Sequence, residues 1–497
     1  MSVTDFTALL PILLTAGTAL CSMMWIAISR QHLVVAIISV SGCLLSLASV
    51  PFAVQVAPRT ITPLVQVDTY ALFFIGLIVS ASLIVTLLAY DYLKAQQGNL
   101  EEFYVLLILA AVGAEILTVA THFASLFLGL ELLTISLYGL IAYQRNNLSS
   151  LEAGMKYLIL SATSSAFLLF GMAFIYFETG SLEFIQFAAV FSQTGIVNVF
   201  LLAGFAMLLT GIGFKIAMVP FHMWTPDVYQ GASAPVVAFI ATVSKGAMVA
   251  VFLRLFLITE MSHSSLVIVV LSSLAAFSMV VGNLLALLQH NVKRLLACSS
   301  IAHMGYLLVA LLASGSMAIE AVSFYLVAYF VTTLGAFGVI AHLSTSGIEP
   351  EQLEDYQGLF WRNPWIAGIL TAMVLSLAGI PLTAGFIGKF YVIAAGLSAE
   401  LWLLIILFVL NSVLGLFYYL RLIRVMASHP VNHAILSARM PTNQRLSGVV
   451  LAGLTILLLW FGTYPVPLIA LIESMQPSMS NAVTSVTPDT MMTLMSQ

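Results

Sequence analysis

Charge is scarce in this chain. Only 7% of its 497 residues are Asp, Glu, Lys or Arg, whereas soluble globular proteins carry roughly 25%. With 61% of residues hydrophobic, that shortage excludes a water-soluble fold and implies an all-α polytopic membrane protein. Cysteine is equally sparse. Cys21, Cys43 and Cys298 stand singly in apolar runs, without the paired spacing that a metal or iron–sulfur site needs. A net charge of −4 offers no concentrated basic face for nucleic acid. The phosphate-cradling GxxxxGK[ST] loop and a GxGxxG in a strand–helix context are missing, as are a Ser/His/Asp set in a soluble domain and a cluster of metal-ligating side chains. The chain alone therefore offers no redox or hydrolytic chemistry. No metal or bound cofactor is expected in it, and any transport it performs must draw on an ion gradient or on partner subunits. Its start, MSVTDFTALLPILL, lacks the basic residues that open a cleavable signal peptide, so it reads as a retained first helix.

What the sequence has in abundance is long apolar runs. About fourteen stretches of the length that crosses about 30 Å of hydrocarbon lie near 6–28, 32–54, 70–93, 102–119, 122–143, 153–177, 198–219, 233–257, 264–288, 294–313, 319–344, 363–397, 401–425 and 446–463. Placing the N-terminus outside puts Arg30, Lys94, Arg145, Lys156, Lys293, Arg294, Arg362, Arg421, Arg424, Arg439 and Arg445 on the inner side, and leaves only Arg59 and Arg254 near the outer side. The positive-inside rule selects that orientation, with the C-terminus also outside. Residues 464–497 begin with a short amphipathic piece and then read as a mobile Ser/Thr/Met-rich tail. Nothing marks a separate soluble domain.

Two stretches join an apolar helix to a proline and a lysine: GFKIAMVP at 213–220 and LAGIPLTAGFIGKF at 377–390. Pro220 and Pro381 each remove a backbone donor, freeing the carbonyls of Ile216 and Leu377, and such a break survives at membrane depth only where protein or water satisfies it. Interrupted helices at corresponding places in two halves suggest a transporter repeat. Either proline alone could equally be a kink buried by its neighbours; the adjacent lysines shift the balance.

Glu131, Lys215, Lys245 and Lys389 fall within apolar runs. At roughly 2.5–3.5 kcal/mol each, four such groups would together cost about 10 kcal/mol if unrelieved. Pairing Glu131 with Lys215 relieves two, but three lysines cannot all be neutralised by one nearby carboxylate. A lysine in such a place can take up and release a proton, which arginine cannot. His303, midway along the tenth run, is a candidate relay or a packing residue, and His222 a relay or a loop-structuring residue. Lys156 and Lys293 read as inner-surface anchors. Glu115 reads as a side chain reaching to the outer interface, although with His122 it could mark a proton exit. The acidic segment 348–365 reads as a solvated inner loop, with Trp361 and Trp365 in the interfacial belt.

The wordings FKIAMVPFHMWTPDVYQGASAPV (214–236), NVKRLLACSSIAHMGYLL (291–308) and SLAGIPLTAGFIGKFYV (376–392), with the glutamate of GLELLTISLYGL, resemble the proton-translocating antiporter-like subunits of respiratory NADH:quinone oxidoreductase, complex I. The resemblance runs from about residue 100 to 425. Within that family, the WTPDVYQGA wording and a lysine rather than a glutamate at 389 narrow it further, and the absence of a long lateral helix argues against the largest subunit. Ser233 departs from a proline common in the family, and Glu115 is an addition to its pattern. The resemblance implies about 14 transmembrane helices with two inverted five-helix repeats containing broken helices. It divides the chain into three N-terminal helices (1–100), a first repeat (101–257), a second repeat (258–425) and a last segment (426–497) holding an inner loop, one helix and an outer tail. It implies that Glu131 and Lys215 act as a coupling pair, Lys245 as the central relay, His303 as part of the polar axis and Lys389 as the terminal lysine. It also implies NADH, FMN, iron–sulfur clusters and quinone in partner subunits, antiporter-like and small membrane subunits as neighbours, surrounding lipids, and a bacterial inner membrane. A cation/proton antiporter subunit would use the same residues, and a non-pumping scaffold would need none of them.

Overall fold

The computed structural model describes residues 2–94, 96, 98–194, 198–344, 348–429 and 445–475. Arg439 and the tail from 476 onward lie outside the described residues.

Among the described residues, thirteen helices are long and apolar enough to cross a bilayer. Spans 1 to 7 are Val3–Ile28, His32–Val56, Thr69–Lys94, Glu102–Val119, Phe123–Ile141, Leu148–Thr179 and Val199–Ile216. Spans 8 to 11 are Ala234–Ile258, Ser265–Leu287, Val292–Leu312 and Gly315–Leu343, and spans 13 and 14 are Trp402–Ala427 and Arg445–Thr463. Span 12 is a crossing assembled from two halves, Pro364–Ala378 and Ala384–Ser398. All fourteen apolar runs thus become helices, with ends shifted by only a few residues. The short piece after span 14 is the helix Val466–Glu473.

The sequence reading has no counterpart for an antiparallel hairpin, Arg59–Thr62 with Val65–Val67, or for the short helix Phe184–Thr194. Strands of 4 and 3 residues are too short to carry a visible alternation. The hairpin ties the first three spans to the next pair through a bridge from Val65 to Ala120.

Successive spans pack as antiparallel pairs, 4 with 5, 6 with 7, and 9 with 10. Each pair is held close by glycine. A Cβ on Gly113 would meet the Leu133 amide at 2.5 Å, one on Gly171 the Gly204 carbonyl at 2.7 Å, and one on Gly282 the Ala302 amide at 2.6 Å. Since lipid is as apolar as leucine, helices in a bilayer are held together by such backbone proximity rather than by hydrophobicity. Spans 8, 10 and 11 are enclosed along the whole of their most apolar windows, which suits helices apolar on every side. They form the centre around which the pairs stand.

Both interrupted helices end in the same way. The Met218 amide donates to the Gly213 carbonyl at 2.8 Å and the Ile380 amide to the Leu375 carbonyl at 3.0 Å. In each, the preceding residue is left-handed: Ala217 at φ 63° and Gly379 at φ 85°. This six-residue closure satisfies carbonyls at a helix end without continuing the helix. The helix of span 7 therefore stops at Ile216, ahead of Pro220, and is followed by the separate short helix Trp224–Gly231.

One ion pair is sealed where the start of span 3 meets the end of span 8. Asp68, which caps span 3 by accepting from the Ala71 amide at 2.8 Å, accepts both Arg254 Nη1 at 2.9 Å and Nη2 at 2.8 Å. Arg254 is 1% and Asp68 0% exposed, and the guanidinium lies over the Tyr70 ring. Removing one partner strands a buried charge, a loss of about 3–5 kcal/mol. Asp68→Ala should sharply lower the yield and melting temperature of assembled protein, measured by size-exclusion chromatography and thermal unfolding in detergent, whereas Asp5→Ala at the more exposed Arg59 pair should change both far less.

Candidate functional site

The buried polar groups gather on and around the enclosed spans. Lys215, in the last turn of the span 7 helix, is 3% exposed. Its ammonium donates to Thr134 Oγ1 at 2.8 Å and Ser161 Oγ at 2.6 Å. Glu131 is not in ion-pair contact with it: its carboxylate accepts from Ser165 Oγ at 2.5 Å. Thr134 lies three residues after Glu131 and Ser165 four after Ser161, so each spacing puts the two groups on one helical face. In place of a direct contact, each member of the expected pair is bonded to hydroxyls, with Glu131 only half-buried and Lys215 enclosed. The helix end helps, because carbonyls there favour a cation by about 0.3–1 kcal/mol.

From Lys215 a strip of rings leads inward. Its Nζ lies 6.0 Å from the Tyr157 ring, Tyr157 is 5.1 Å from Trp224, Trp224 is 6.5 Å from Tyr229, and Tyr229 lies 5.4 Å from Lys245 Nζ. Lys245 is fully buried and follows directly on a π-helical turn, Ile240–Ser244, an irregularity frequent at functional sites. Its Nζ donates to Ser300 Oγ at 2.7 Å, and Ser300 shares a 2.6 Å hydrogen bond with the Tyr329 hydroxyl.

His303, one turn beyond Ser300 on span 10, bonds Tyr325 through Nδ1 at 2.6 Å and Tyr419 through Nε2 at 3.3 Å. Its ring lies 5.5 Å from that of Tyr329. A cavity of about 10 Å³ joins His303 to Lys389 past Tyr325, Tyr329, Thr332 and Ser376. A second of the same size lies on the other side of Tyr329, against Ser299, Ser300 and Thr333. Each offers about the space of one water, with polar partners to hold it. Lys389, 7% exposed, donates to the Ala378 carbonyl at 2.8 Å and to Ser412 Oγ at 2.7 Å. It thus reaches back to the carbonyl end of the first half of span 12.

The structure therefore brings Lys245, His303 and Lys389 together and joins Lys215 to them through rings. It does not bring in His222, which is buried with an unpartnered Nδ1 among the described residues and whose carbonyl accepts from the Thr225 amide. The hydroxyls Thr134, Ser161, Ser165, Ser300, Tyr325 and Tyr329 were missed from sequence. Their signal is spacing: most stand three or four residues from a charged or histidine position, or from one another, on apolar spans.

Three other expectations are corrected. Glu115 does not reach the interface: it is 0% exposed, with neither carboxylate oxygen hydrogen-bonded among the described residues, because spans 1 and 2 cover that face of span 4. His122 caps span 5 by accepting from the Ala124 amide. Lys293 is no surface anchor, being 2% exposed and bound to Glu349 at 2.6 Å and to the Ala232 carbonyl at 2.7 Å. Nor is 348–365 a solvated loop. Its Leu353, Tyr356 and Leu359 are buried, and Glu351 accepts from Asn291, so the segment clamps the ends of spans 8 and 10. Trp361 and Trp365 remain exposed, as an interfacial belt requires.

Outside the spans, Asp227 links the halves by accepting from Lys156 at 2.8 Å and Arg294 at 2.7 Å. Partial burial pushes its carboxyl up, but these two cations outweigh that and hold it below its usual range. Its contribution to stability is complete above the ordinary carboxylate value near pH 4 and is lost as the pH falls through the lowered native value. Asp227→Asn should flatten that acid-side fall in melting temperature, measured by thermal unfolding in detergent between roughly pH 2.5 and 6.

The family described as NADH:quinone oxidoreductase/Mrp antiporter membrane region matches residues 120–415. NADH-quinone oxidoreductase subunit N of Ectopseudomonas mendocina is 48% identical over 474 residues, covering 94% of this chain and 96% of that protein. Among solved structures, a chain of respiratory complex I from Thermus thermophilus superposes with TM-score 0.79 at 31% identity, over 93% of this chain and 98% of that one. A chain of an archaeal membrane-bound sulfane sulfur reductase gives 0.82 at 25%, over 97% and 100%. A chain of the Mrp complex from a Dietzia species gives 0.84 at 18%, over 98% of each, a likeness of fold. With its broken helices and enclosed lysines, the chain belongs to the antiporter-like membrane subunits of the NADH:quinone oxidoreductase/Mrp family.

Proposed function

We propose that this chain is a proton-translocating membrane-arm subunit of NADH:quinone oxidoreductase, of the subunit N type. The observation that carries the proposal is that Lys215, Lys245 and Lys389 are all enclosed yet, among the described residues, bound only to hydroxyls and a carbonyl. A hydroxyl accepts from an ammonium and, after rotating, donates to an amine. Such partners tolerate either state of the lysine, whereas a fixed carboxylate would hold it charged. Glu131 stands at the accessible end of this line and Lys389 at the other. A change at Glu131 alters the field on Lys215; a proton then passes along Lys245, Ser300, Tyr329 and His303 to Lys389. NADH, FMN, iron–sulfur clusters and quinone belong to partner subunits, which supply the energy. The matching helix breaks support two repeats, 101–257 and 258–425, flanked by segments 1–100 and 426–497. The likeness to a bacterial subunit N supports a bacterial inner membrane, and the basic residues favour both termini outside.

The test uses the assembled complex in proteoliposomes. Lys245→Ala should leave assembly intact and lower the initial rate of NADH-driven proton uptake about tenfold or more, a barrier increase of about 1.4 kcal/mol. Tyr329→Phe, which keeps the ring and removes the hydroxyl, should give a smaller loss in the same direction. An assembled Lys245→Ala enzyme with full coupled pumping would overturn the assignment.

A further inference from the structure

An apolar furrow runs down the outside of the molecule between spans 2, 3 and 14. Its upper part, of about 270 Å³, is walled by Leu33, Ile37 and Leu44 of span 2, Leu87 and Tyr90 of span 3, and Leu446 of span 14. Its deeper part, of about 510 Å³, continues past Leu47 and Ser80 to Phe330 and Val331 of span 11. Leu44 and Leu47, like Ile84 and Leu87, are one helical turn apart, so the two parts adjoin. Leu33, Ile37 and Leu44 are more than half exposed, which leaves the furrow open to the bilayer.

The rim of the upper part is basic. Lys94 lies one turn beyond Tyr90, and Arg445 is next to Leu446. The two are brought to the same end of the furrow because the Ser447 amide donates to Asp91 at 2.9 Å. Both side chains are exposed, and neither forms an ion pair among the described residues, whereas nearby Arg30 is engaged by Glu102 at 2.9 Å. From Tyr90 to Ser80 is ten residues of helix, about 15 Å, which is the depth of one leaflet of a bilayer core of about 30 Å.

We propose that this furrow holds one anionic phospholipid, its phosphate between Lys94 and Arg445 and its acyl chain along Leu87 and Ile84 to Phe330. The furrow supplies apolar contact over one leaflet's depth, and the rim supplies the charge that selects the headgroup. The site reaches the interior through one side chain. The Phe330 ring fills the place where a Cβ on Gly246 would stand, and Gly246 follows Lys245. The lipid tail therefore backs the helix contact that seats the central lysine.

The probe is phosphatidylglycerol, titrated into the delipidated complex and followed by native mass spectrometry, with phosphatidylcholine as the neutral comparison. Lys94→Gln with Arg445→Gln should weaken phosphatidylglycerol retention roughly thirty-fold, about a fivefold effect from each charge, and leave phosphatidylcholine unchanged. Ile37→Trp, which fills the furrow and keeps the charged rim, should weaken both lipids. A photoreactive residue at Leu87 in native membranes should label phospholipid. Equal retention of the two lipids by wild-type complex, or labelling of a neighbouring polypeptide at Leu87, would overturn the proposal.

Discussion

A lysine ammonium shut away from water is the constraint on which the rest of this structure depends. Within a bilayer no solvent can repair an unmatched polar group, so each must be answered by the protein itself. Here the answers are hydroxyls and helix-end carbonyls, and supplying them dictates much of the architecture. Helix ends can be delivered to membrane depth only by interrupting a span, and the interruptions must be capped. The left-handed residues at Ala217 and Gly379 follow from that requirement.

The interior accordingly divides its labour. Static charges are paired and sealed, as in Asp68 with Arg254 and Lys293 with Glu349, where each cation meets a carboxylate. Among the described residues, the lysines of the axis meet none within ion-pair distance. The contrast separates cations matched by a carboxylate from cations matched by hydroxyls and carbonyls, within one protein and at similar burial; on the proposed function the second set changes state. The static cations include both an arginine and a lysine, so the carboxylate partner, rather than the residue type, marks them out; of the two types only lysine is able to lose its proton.

Much of this was legible in the sequence. The fourteen apolar runs, both interruptions and the intramembrane charges follow from length, proline and the rarity of charge, which are strong local signals. The hydroxyls around Lys215 and Lys245 were not legible individually, because serine and threonine also occur on apolar helices bonded only to their own backbone, as Thr163 and Ser273 are. Glu115 was misjudged because a position near a helix end looks the same in sequence whether lipid or other helices cover it. Segment 348–365 was misjudged because its acidic residues suggested solvent, while the partners that draw it inward, Asn291 and Lys293, lie on a helix some sixty residues earlier. Pairings over such separations follow from the tertiary arrangement.

Tyr329 stands between two water-sized cavities, with Lys245 reached through Ser300 on one side and His303 with Lys389 on the other. In the proposed proton path, a hydroxyl such as that of Tyr329, able both to donate and to accept, has no built-in sense of direction. Such a path would be equally open to traffic both ways, and rectification would fall to its two mouths, through when Glu131 and the surroundings of Lys389 meet water, leaving the centre free to stay nearly rigid.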